Sequence, residues 1–270
     1  MALATLPIDG LVAGKNALVA WHPRLSFDAP LLIVLFFHGH EKEPQAYAWT
    51  GHRLPNQLAG SGKNAVLVAP TMRVNGNVIV DYLSSPDGLA KLLREGVAAV
   101  AKATHKVADH AFDDAKLLLV GYSNGYHAWN RAVETLQSAP AAVPPAVGHS
   151  LFDCLYWACL LMAGVKGKPI DEADFSTDAT AIVDSGFVTT HFTKDGATLD
   201  QAKFLEAIVA RHAPVMTLHH DVPPKLDAKD VVVTHLPPAD DHFKAVVSRN
   251  ELGRVIKAVR GFDLPPGAVA

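Results

Sequence analysis

Short apolar runs alternate along the chain with longer stretches in which apolar positions recur at helical spacing. That alternation predicts strand–helix units around a mostly parallel central sheet with helices on both faces. Residues 16–21, 31–37, 65–69, 116–120, 150–157, 187–192 and 231–236 read as strands. The run 31–37 is apolar throughout, as expected of a strand covered on both sides. Ser85-Pro86-Asp87 opens a helix with a capping serine and a proline at the first helical position, and Leu89, Leu92, Leu93, Val97 and Val100 recur along it. Further helices are expected over 124–137, over 197–211 and from His242 onward. In the last of these Val246, Leu252, Val255, Ile256 and Val259 belong to the apolar stripe. Residues 138–148, with three prolines, read as a loop, and the weakly periodic stretch 163–184 reads as a small lid or insertion. No repeat, charge block or low-complexity segment divides the sequence, so residues 1–270 are expected to form one α/β domain.

Composition narrows this picture only slightly. With 49% hydrophobic residues in 270, the chain can bury a sizeable core, and a net charge of −3 gives no reason to expect a nucleic-acid or membrane-surface partner. Cys154 and Cys159 lie in one apolar run and read as buried thiols of a reducing compartment. The first ten residues lack the basic and apolar regions of a secretory signal, and 31–37 is too short to span a bilayer. A cytoplasmic location is the expectation, although a mature exported protein would read the same way. The 14 histidines raise the question of metal. His38 and His40 share a loop without a matching carboxylate cluster. His219 and His220 are adjacent and, in an extended segment, point to opposite sides. Neither pair makes a zinc site, and no metal or organic cofactor is expected.

The chemistry concentrates at Gly121-Tyr122-Ser123-Asn124-Gly125, directly after the apolar strand 116–120 and directly before a helix. G-x-S-x-G is weak as a bare pattern, but the strand–turn–helix context is what gives it meaning. A serine on so sharp a turn needs small residues two before and two after it. The turn lifts Oγ above the sheet edge beside a helix N-terminus, where developing negative charge is favoured. Ser123 is therefore the candidate nucleophile. The strand 31–37 ends in His38-Gly39-His40, where a backbone N–H near His40 would join that of Asn124 in an oxyanion hole. The general base is sought after the last strand, where Pro237-Pro238-Ala239-Asp240-Asp241 leads to His242; His235 lies inside the strand pattern instead. The acid falls between serine and histidine in chain order. Asp153 sits in an apolar run where an unpaired carboxylate would be costly, Asp195 follows the next strand, and Asp221 follows 214–220. All three qualify.

With these residues in place the chain resembles the α/β-hydrolase superfamily from about residue 31 to about residue 259. The likeness is carried by Phe37-His38-Gly39, by residues 64–70, by 121–125, by Phe152-Asp153-Cys154-Leu155-Tyr156 and by Asp241-His242-Phe243. It is similar in particular to poorly characterised bacterial hydrolases with an Asp-Ala-Leu-Tyr-Gly-like segment after the nucleophile helix, here Asp153-Cys-Leu-Tyr-Trp157. The resemblance implies Asp153 as the acid, with Asp195 and Asp221 as alternatives. It also implies ester or related acyl chemistry without a cofactor, on a small-molecule acyl substrate. An amidase or peptidase would use the same residues, since leaving-group preference resides in pocket shape. A hydrolase-fold binding module is the non-enzymatic alternative. Tyr122, Tyr126, His127, Trp49 and Trp157 are candidates to line an acyl pocket or to pack the core.

Overall fold

The computed structural model describes residues 2–7, 16–39, 47–74, 77–78, 81–108, 110–153, 186–193, 203, 206–207, 210, 216–236 and 244–266. His40, Trp157, Asp195, His242 and the stretch 163–184 lie outside the described residues, as does most of 197–211, of which residues 203, 206, 207 and 210 are helical.

In chain order the elements are β1 (Ala2–Pro7), β2 (Asn16–Trp21), β3 (Leu32–Phe37), α1 (Leu54–Ser61), β4 (Ala65–Pro70), β5 (Arg73–Val74), β6 (Asn77–Val78), α2 (Pro86–Thr104), β7 (Lys116–Tyr122), α3 (Tyr126–Ser138), β8 (Ala146–Phe152), β9 (Phe187–Phe192), β10 (Thr217–His219), β11 (Asp230–His235) and α4 (Glu251–Ala258). Among the described residues nine strands form one sheet in the order β1-β2-β4-β3-β7-β8-β9-β11-β10, and β5 and β6 make a separate hairpin. β2 pairs antiparallel with β1 and β4; every other neighbouring pair is parallel.

The alternation of side chains along a strand builds two cores. Ile33, Leu35 and Phe37 of β3 and Leu117 and Leu119 of β7 face α2 and α3. Leu32, Val34, Phe36, Leu118, Val120 and Tyr122 face α1 and α4. All six residues of β3 are buried, and each such side chain is worth about 1.5–3 kcal/mol against exposure. Helix α2 starts as its sequence says: the Ser85 hydroxyl accepts the Gly88 N–H at 3.0 Å, and Pro86 follows it. Buried Gln57 on α1 donates to the carbonyls of His52 and Val246 and accepts the Gly253 N–H of α4, so one amide ties three segments together.

Four expectations shift. The strand expected over 150–157 begins at Ala146 and ends at Phe152, so the loop expected over 138–148 is shorter; Gly148 and His149 interrupt the apolar pattern that would have marked its start. After Ser123–Gly125, a single 3₁₀ turn, α3 begins at Tyr126 rather than at 124. The closing helix does not run from 242 but begins at Glu251. Arg249 and Asn250 both hold left-handed backbone, φ 52° and 60°, and a right-handed helix cannot pass through them. Finally β1, β10 and α1 carry no strong periodic signal and were not expected. No helix among the described residues is long and apolar enough to cross a membrane.

Candidate active site

Parallel strands place their carboxyl ends at one edge of the sheet, and the chemistry gathers there. From β3 the chain crosses to β4 on one side and then returns to β7 on the other, so the crevice between β3 and β7 is the topological switch point where ligands bind in open α/β sheets. His38 and Gly39 leave the end of β3, and Ser123 leaves the end of β7. Phe37 and Gly121 are register partners across the two strands.

Ser123 has φ 51°, a left-handed value uncommon for a residue with a side chain. The backbone is extended at Tyr122, turns at Ser123 and enters α3 within three residues. Gly125 shows why the turn needs small neighbours: a Cβ there would lie 2.3 Å from the Phe37 carbonyl oxygen and 2.8 Å from that of His38. Both obstacles are backbone, so Gly125→Ala is expected to push β3 and the elbow apart. The expected destabilisation is about 1–3 kcal/mol in urea unfolding, with a parallel loss of any Ser123 reactivity. An unchanged unfolding midpoint would show that the contact is slack.

The loop after β3 is pinned by a histidine that the sequence reading weighed only as a metal ligand. His38 is buried, and its Nε2 accepts the Met72 N–H at 2.9 Å. Nδ1 therefore carries the proton and donates to the Gly39 carbonyl at 2.8 Å. The imidazole thus spans from the end of β4 to Gly39. Beside Ser123, Asn124 is half-buried.

The acid candidates separate clearly by place. Tyr122 and Phe152 are register partners, so Ser123 and Asp153 are the residues that follow one registered pair on adjacent strands. Asp153 is buried, has φ 44°, and donates its own N–H to the His191 carbonyl at 2.8 Å. Its Oδ1 accepts the Thr193 N–H at 2.9 Å and its Oδ2 accepts the Thr193 hydroxyl. Asp221 lies beyond β10, the edge strand, four strand spacings or about 19 Å from β7. There it is exposed and bridges Arg249 and Arg254, each at 2.8 Å, and the Arg254 hydrogen bond holds its carboxyl below the usual range. The structure brings Asp153 to the elbow and leaves Asp221 in a surface ion pair.

His235, at the exposed end of β11, sits 3.5 Å from Glu206. The Leu236 N–H then bonds to the Phe192 carbonyl, so β11, two strands from β8, ends at the same edge of the sheet. Of the aromatic candidates, Tyr122 is buried in the core facing α1 and α4, Trp49 packs against that core, and Tyr126 packs against the opposite one. The exposed His127 ring lies 3.8 Å from that of Tyr126. Among the described residues no group of three or more histidine, cysteine or acidic side chains converges to hold a metal ion.

No protein-family model matches the sequence, and no curated protein is similar to it. Solved structures are similar in shape along nearly the whole chain. A feruloyl esterase module from Clostridium thermocellum aligns with a TM-score of 0.53 at 11% identity, covering 99% of this chain and 90% of that one. A ferulic acid esterase aligns at 0.50 and 11% identity, covering 95% and 98%. The chain has the α/β-hydrolase fold. An enterobactin esterase from Shigella flexneri, similar at 0.52 and 9% identity, is matched over 96% of this chain but 59% of its own length. At such identities the likeness speaks for the fold alone.

Proposed function

We propose that this hydrolase-fold chain is a serine hydrolase that cleaves carboxylic esters through Ser123, His242 and Asp153. The observation that carries the reading is Ser123 itself. A serine at φ 51°, lifted at the carboxyl end of a buried parallel strand and wedged by Gly125 against the neighbouring strand, is a costly conformation that a nucleophile uses and a structural turn does not need.

In this reading Ser123 Oγ attacks the substrate carbonyl carbon while His242 takes its proton. The backbone N–H groups of Asn124 and His40 stabilise the oxyanion. The ester C–O bond breaks, His242 returns the proton to the departing alkoxide, and the alcohol leaves. Water, deprotonated by His242, then attacks the acyl-enzyme and releases the carboxylic acid and free Ser123. Asp153 keeps the imidazole oriented. No step calls on a metal or organic cofactor. The structural neighbours named above are all named as esterases, which supports ester over amide bonds.

A fluorophosphonate probe tests the reading together with short p-nitrophenyl esters and aminoacyl anilides. The probe is expected to label the chain at Ser123, Ser123→Ala to abolish labelling, and esters to turn over faster than anilides. Faster turnover of anilides would move the activity to the amidase class. Absence of both labelling and turnover would leave the fold as a binding module.

A further inference from the structure

β8 and β9 run in parallel register up to Phe152 opposite His191, and the next rung is where the ladder changes character. The Asp153 N–H takes the His191 carbonyl, as a parallel ladder requires. A continuing ladder would then bring the Thr193 N–H to the Asp153 carbonyl. Instead the chain turns at Asp153, φ 44°, and the Thr193 N–H goes to the side-chain Oδ1. The carboxylate has taken over the rung, and the Thr193 hydroxyl holds its other oxygen. Both groups are buried, so neither bond competes freely with water.

Resting on the proposed triad, we infer that Thr193 is the positioning residue for the acid: its N–H and hydroxyl together fix the plane in which the Asp153 carboxylate meets the base. One donor would leave the carboxylate free to rotate about its Cβ–Cγ bond. Two donors from one residue, on a strand already registered to β8, remove that freedom. A carboxylate has capacity for more than two donors, so both bonds are compatible with a third from an imidazole N–H. The arrangement also explains why an aspartate at the end of β8 needs a polar residue at the end of β9.

The test compares Thr193→Val, which removes the hydroxyl at nearly constant volume, with Thr193→Ser, which keeps it. Both are assayed on an ester that the parent chain hydrolyses, with active enzyme counted by fluorophosphonate titration. Thr193→Val is expected to lower kcat about tenfold to thirtyfold with KM within twofold, and Thr193→Ser to restore most of it. Should the valine variant fail to fold, Thr193→Ala replaces it in the same comparison. Equal losses in the hydroxyl-bearing and hydroxyl-free variants, or an unchanged kcat in Thr193→Val, overturn the inference. The underlying reading fails differently: the parent chain itself then shows neither probe labelling nor ester turnover.

Discussion

Replacing Asp153 by asparagine is expected to lower kcat by about 10^3- to 10^4-fold while leaving the protein folded. The size follows from what an amide loses. An ionised carboxylate accepts at both oxygens, and Thr193 donates to both. Asparagine accepts at one oxygen only. The backbone N–H of Thr193 can only donate, so it captures that oxygen, whereas the Thr193 hydroxyl can rotate and accept from the amide NH₂. The buried contacts survive in this way and the fold with them. What disappears is the negative charge that, in the proposed triad, stabilises the imidazolium during acyl transfer and selects the reactive tautomer. Steady-state kinetics beside Asp195→Asn decide the assignment. If Asp195→Asn collapses turnover and Asp153→Asn stays within threefold, the acid is Asp195 and Asp153 is a structural ladder cap.

Lowering the pH from 7 to 5 is expected to cost the folded state about 4 kcal/mol through two buried histidines, about 2 kcal/mol from each. His149 on β8 is buried edge-on to Trp129, and burial pushes its pKa down to about 4. His191 on β9 is stacked on Phe152 with ring centroids 4.4 Å apart; burial, with the positive charges of Arg254 and Arg249, pushes it down to about 3. Both are neutral in the folded chain at pH 5, while the unfolded chain protonates them near 6.5. Stability from these groups is therefore complete above 6.5 and is lost as pH falls toward 4 and 3. Glu251 runs the other way. Burial raises its pKa against the pull of Arg254 and Arg249, so its unfavourable contribution sets in as pH climbs above the ordinary carboxylate range. It therefore works against the acid loss. Urea unfolding at the two pH values measures the difference, and a change below about 1 kcal/mol would rule out neutral burial of this pair.

Much of the fold was legible because buried parallel strands announce themselves as unbroken apolar runs. β3, β4 and β7 are of that kind, and each is located within two residues at either end. β1 was not, because Ala2–Pro7 gains its strand character only by pairing with β2. The late start of the closing helix was hidden for a different reason. The apolar stripe continues across Arg249 and Asn250, and nothing in residue type alone forces both into left-handed backbone. The candidate nucleophile is legible locally, since its turn demands glycines in sequence. Thr193 could not, because its importance depends on the register between β8 and β9, and register is a long-range property. Its only trace in the sequence is a third threonine after Thr189 and Thr190, which by itself marks nothing.

The join between β8 and β9 has a consequence for how such a chain can diversify. Hydrogen bonds between neighbouring strands set where Asp153 and Thr193 meet, and the described ones join 146–153 to 186–193. Asp153 follows Phe152, the register partner of Tyr122, and so stands beside the elbow. Backbone bonds of this kind are made by any residue type except proline, so the side chains of β8 and β9 can change between relatives without moving that meeting point, as long as the register is kept.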